Sequence, residues 1–190
     1  MSSGSILTAV TDLTLASDRS RLRLHTFAEG LFARLAHDLE LTCAEVTGSA
    51  ARDRAMGSAS LSVPLSGIAV AGVLKDGRVD ASVLSASDQR DVLDKMRREV
   101  FHASGDAAVK VEAEHDGSSA RVRVIPPKGP EVTSTVRPEV RDEDGGVRVS
   151  GKVEVSLSAI GSDVVKGPMG AFRVKDRVEV LFDLLFVPKS

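Results

Sequence analysis

Between Gly30 and Gly48 the hydrophobic period of this chain changes, and that change constrains the fold more than any other feature. Leu31, Phe32 and Leu35 share one face at helical spacing, with Arg34 turned away. From His37-Asp38 onward the period is two: Leu39, Leu41 and Cys43 point one way, Asp38, Glu40 and Thr42 the other. So short a helix is not stable alone, and its apolar face must lie on something already built. The spacing predicts a short plug helix set against one end of a curled antiparallel sheet, with a cavity beneath it.

The same period of two recurs along most of the chain. Val10–Leu15 and Arg21–Phe27 read as strands, the second with Leu22 and Leu24 opposite Arg21, Arg23 and His25. Gly57–Val70 reads as one alternating run, with Ala59, Leu61, Val63 and Leu65 sharing a face and Pro64 marking an edge or a bulge. Val109, Val111 and Ala113 alternate with charged residues up to the turn His115-Asp-Gly-Ser. Val122 and Val124, Val132–Val136, Val147–Leu157 and a last strand through Val180, Phe182 and Phe186 complete the pattern. Ser85–Phe101 is the one substantial helix. Ser85 or Ser87 caps it, Val92, Leu93, Met96 and Val100 form its apolar stripe, and Asp91–Lys95 and Asp94–Arg98 are its expected ion pairs. About eight antiparallel strands with one interrupting helix predict a mainly β, single-domain barrel or sandwich spanning 1–190, with 1–9 loose.

Composition narrows the function. The 190 residues are 42% hydrophobic and 27% charged, enough for a sizeable core. A net charge of −2 and 3% aromatics, with no Trp or Tyr, supply neither the basic footprint nor the stacking platforms of nucleic-acid binding. One cysteine excludes an internal disulfide and a cysteine-based zinc site. The start of the chain lacks a basic, then apolar leader, and no stretch is long enough to cross a bilayer, so a cytoplasmic location is the expectation.

Candidate chemistry is sparse. His37-Asp38 reads as a proton-handling pair or, on the plainer reading, as a helix end whose imidazole caps the last carbonyls. Cys43 lies on an apolar face with no cation predicted near it, so it reads as a buried, inert thiol. His25, His37, His102 and His115 show no metal-ligand spacing, and Asp142-Glu-Asp-Gly-Gly lacks the oxygen repeat of a calcium loop. No catalytic residue, metal or cofactor is assigned.

Three ordered pieces resemble YceI-like proteins: Gly30-Leu-Phe-Ala-Arg-Leu-Ala-His37-Asp38-Leu, the amphipathic helix Ser87–Val100, and Met169-Gly170-Ala-Phe-Arg-Val174-Lys175-Asp176-Arg-Val178. The resemblance runs from about residue 20 to the end. It implies a lipocalin-like antiparallel barrel with a helix near its mouth. It also implies a pocket for a long apolar chain (a polyisoprenoid, an isoprenoid quinone or a fatty acyl group) and no established catalytic residues. The chain departs from the family pattern at Arg121–Pro130, which lacks the expected histidine, and at Ala159–Pro168. Both departures fall where they would reshape the pocket.

The expectation is a non-catalytic binder of such an amphiphile. The candidate lining is Leu22, Leu24, Leu31, Phe32, Leu39, Leu61, Val63, Met96, Val153 and Phe182. The inward positions are often Val, Ala or Ser, which leaves room for a ligand unless long aliphatics from the helices fill it. A filled barrel serving as an interaction or homodimerisation module, on strand edges or on the helix, is the alternative.

Overall fold

The computed structural model describes residues 10–30 and 36–189. The plug helix expected over 31–35, with Leu31 and Phe32, lies outside the described residues. In order, the strands are β1 (Thr11–Leu15), β2 (Arg21–Thr26), β3 (Ala28–Glu29), β4 (Leu39–Cys43), β5 (Thr47–Asp53), β6 (Met56–Pro64), β7 (Ile68–Lys75) and β8 (Arg78–Asp80). Helix α1 (Ala86–Lys95) follows, then β9 (Ala108–His115), β10 (Ala120–Ile125), β11 (Val132–Val136), β12 (Glu139–Glu143), β13 (Gly146–Ser156), β14 (Arg173–Val174) and β15 (Arg177–Pro188).

The mainly β, antiparallel expectation holds, whereas the closed barrel of about eight strands does not. Thirteen strands form one open sheet along the path β11-β10-β9-β6-β5-β1-β15-β2-β4-β7-β8, with β13 also on β15 and β12 on β13. Among the described residues, only β3 and β14 stand apart, as a pair. The physical reason is visible at Arg137-Pro138. Up to Val136 the chain pairs with β10; after Pro138, which has no N–H to donate, it pairs with β13 instead. β11 therefore lies beside β13 without a ladder, and the ring is left unclosed by hydrogen bonds.

Two further differences have local causes. The single run expected over Gly57–Val70 is two strands, because Leu65–Gly67 forms a tight helical turn directly after Pro64. Pro64 thus ends a strand opposite Ala108, and the bulge lies elsewhere, between Glu40 and Leu41 where β4 meets β7. Strand β5 was absent from the sequence reading, since Thr-Gly-Ser-Ala-Ala-Arg-Asp shows no large apolar residue to alternate.

Helix α1 begins as expected. Ser85 caps it: its Oγ accepts from Asp88 N–H at 3.2 Å while the Asp88 carboxylate accepts from Ser85 N–H at 3.0 Å. The α-helix stops at Lys95 and continues as a π-helical turn, Met96–Val100. The ion pairs formed there are Lys95–Glu99 and Arg97–Asp94, in place of the expected Asp91–Lys95 and Asp94–Arg98. Leu93 and Met96 pack against a core built on Leu13, Leu41, Val63, Leu65 and Phe186.

Candidate functional site

Residues far apart in the sheet enclose one space. Ala113 on β9 and Leu24 on β2, separated by four intervening strands, both line a cavity of about 820 Å³. The sheet must curl to bring them together. Lining residues on β6 alone run from Met56 to Val63, so the cavity is at least about 20 Å long at the usual rise per residue.

The register explains why the space is empty. Cross-strand partners share a face, and Leu13, Ala50, Ala59, Ala113 and Val122 face one another in a single row across β1, β5, β6, β9 and β10. Three consecutive alanines in that row leave a trough. The opposite wall is bulkier: Leu22 faces Phe182, and Leu24 faces both Val180 and Leu41. There Phe182 lies over Gly151, where a Cβ would come within 2.8 Å of the ring. Outward positions carry the charges, as with His25, whose Nε2 is 2.8 Å from Glu40.

Of the candidate lining residues, Leu22, Leu24, Leu39, Leu61, Val63, Met96, Val153 and Phe182 all border this cavity. Leu31 and Phe32 are outside the described residues. The sequence reading missed Ala50, Arg52 and His115, which also border it. Ala50 and Arg52 were hidden with β5; His115 was read only as a turn residue. The alternation leading into it, Val109-Val111-Ala113-His115, already placed it on the inner face.

Polar groups are confined to the ends. At the α1 end stand Asp88, Asp91, Lys95, Lys166 and His37; at the far end stand Arg52, Ser58 and His115. Cys43 borders the wall between, and burial pushes its thiol up to about 12. A thiol held protonated borders the cavity as part of its apolar lining. His37 borders the cavity, while Asp38 accepts from Ala28 N–H at 2.9 Å and fastens β3. The helix that His37 was expected to cap lies outside the described residues. No group of three metal-ligating side chains exists among the described residues. No helix among them is long and apolar enough to cross a membrane.

The fold is similar to that of Burkholderia cenocepacia BcnA. The crystal structure of BcnA superposes with a TM-score of 0.62 over 90% of this chain and 98% of that one, at 15% sequence identity. At that identity the likeness to BcnA speaks for the fold alone. No family model matches the chain, and no curated protein matches it in sequence.

Proposed function

We propose that this chain is a YceI-like carrier that sequesters a long-chain amphiphile (a polyisoprenoid, an isoprenoid quinone or a fatty acyl chain) without transforming it. The observation that carries the reading is the 820 Å³ cavity with an apolar wall and polar groups only at its ends. Its volume lies within the range of about 300–1,000 Å³ usual for small-molecule sites. Its shape suits a tail better than a compact ring system, being about 20 Å long on the strand rise.

Magnitudes set the tail length. Each buried methylene contributes about 0.8 kcal/mol. Ten carbons give about 8 kcal/mol, which the cost of association, about 4–15 kcal/mol, largely cancels. A useful ligand needs a longer tail, which a cavity of this length accommodates. The filled-barrel alternative requires the protein's own side chains to occupy the space, and the alanine row opposes that. As a dimer edge, β8 offers only three residues.

The test is organic extraction and mass spectrometry of protein purified from its own host, paired with native mass spectrometry of the intact chain. A near-stoichiometric long-chain species supports the reading. An empty chain that also takes up no added lipid ends it.

A further inference from the structure

The far end of the cavity has a row of its own. Arg52, Gly57, His115, Ala120 and Val136 are cross-strand partners in sequence across β5, β6, β9, β10 and β11. Arg52 and His115 thus flank a residue without a side chain, with their Cα atoms about 10 Å apart on the usual strand spacing. All three residues border the cavity, and a Cβ on Gly57 would come within 3.1 Å of Ala51 O. Backbone groups orient both side chains. Arg52 Nε donates to Arg54 O at 2.8 Å, and His115 Nδ1 lies 3.1 Å from Ala55 O and 3.3 Å from Gly117 N. Arg52 Nη1 holds the Asp142 carboxylate; Arg52 Nη2 and His115 Nε2 make no hydrogen bond among the described residues.

The two ends differ in charge. At the α1 end two carboxylates, Asp88 and Asp91, balance two ammonium groups, Lys95 and Lys166, and Lys95 is already tied to Glu99 and to Lys166 O at 3.3 and 3.0 Å. At the far end the guanidinium is paired with one carboxylate, Asp142, whose side chain is 79% exposed. An exposed ion pair is weak, so another anion can take its place at little cost.

We propose that the Arg52–Gly57–His115 row is the head-group site, that it selects amphiphiles with an acidic head, carboxylate or phosphate, and that Asp142 occupies the guanidinium until the ligand's acid displaces it. This rests on the carrier reading above and adds the class of head group and the direction in which the ligand lies. The tail runs from the row towards α1.

The experiment uses the neutral dye N-phenyl-1-naphthylamine as a fluorescent occupant, displaced by oleic acid or by oleyl alcohol near neutral pH and at low salt. The readout is the ratio of the two apparent affinities, in which any general loss of cavity or fold cancels. Wild-type protein favours the acid by about tenfold or more, the range for a charge-assisted hydrogen bond. Arg52→Ala removes that preference and His115→Ala reduces it, while Asp142→Asn, which leaves the guanidinium without its internal anion, increases it. Equal displacement by acid and alcohol in wild type, or a ratio unmoved in Arg52→Ala, overturns the head-group assignment and leaves the carrier reading standing. Failure of the dye and both lipids to enter wild-type protein overturns both.

Discussion

Asp176 shows how one residue fastens this sheet. Its carboxylate accepts from Ser156 Oγ at 2.6 Å and from Ser158 N–H at 2.7 Å, and its carbonyl accepts from Leu157 N–H at 2.7 Å. The end of β13 is thereby tied to the start of β15. The Ser156 hydroxyl first, then the Ser158 amide, hold the Asp176 carboxyl below its ordinary value of 3.8. A folded-state value below the unfolded one means the unfolded chain binds more protons in that window. The stabilisation is therefore fully present above 3.8 and is lost as the pH falls through the lower, folded value. Asp176→Asn should be less stable than wild type at about pH 6, and the gap should close as the pH falls towards about 2. Urea-unfolding midpoints across that range check it; a gap independent of pH would show that the carboxylate's charge is not what holds the two strand ends.

At the scale of elements, the helix illustrates a local signal that settles structure, and β5 one that cannot. Of the two caps the sequence offers, Ser85 and Ser87, the fold uses Ser85, in a capping box with Asp88. Ser85→Ala should cost about 1 kcal/mol, read as a drop in the urea midpoint with an unchanged slope. An unaltered midpoint would mean that α1 is held by its contacts with the sheet alone. The long strands were legible for a comparable reason: an alternation such as Val147-Val149 opposite Arg148 and Ser150 can only be half-buried one way. Strand β5 was not, because its inward residues are Gly48, Ala50 and Arg52, too small or too polar to announce a buried face. The open seam at Arg137-Pro138 was equally hidden. Sequence shows that Pro138 cannot donate, but not which neighbour the chain leaves when it passes that residue. Seven of the lining residues were readable from the strand period, since a curled sheet places one face of every strand inside, and Met96 from the helical stripe. The meeting of Arg52 with His115 was not, since it depends on β5 and β9 being brought into register through β6.

At the scale of the molecule, the cavity is a consequence of volume distribution between two walls. Leu22, Leu24, Leu41 and Phe182 fill their side, while Ala50, Ala59 and Ala113 leave the other side hollow. Cores are ordinarily packed to crystal-like density, and a lining that faces empty space forgoes dispersion contacts. The hollow is therefore retained at a cost to stability, which a function requiring the space would explain. Ala113→Phe tests the two roles, because Ala113 sits mid-row between Ala59 and Val122, one inward position from His115. A phenyl ring there enters the trough and gains contacts that the methyl group lacks. Overpacking would cost about 1–3 kcal/mol in a tight core, but this site has room. The variant should unfold at the wild-type temperature or above, while displaceable binding of N-phenyl-1-naphthylamine falls at least tenfold. A thermal melt followed by circular dichroism, alongside dye titration, gives both values. If the variant unfolds several degrees lower and still binds dye as wild type does, the alanine row is part of a packed core and not the wall of a binding space.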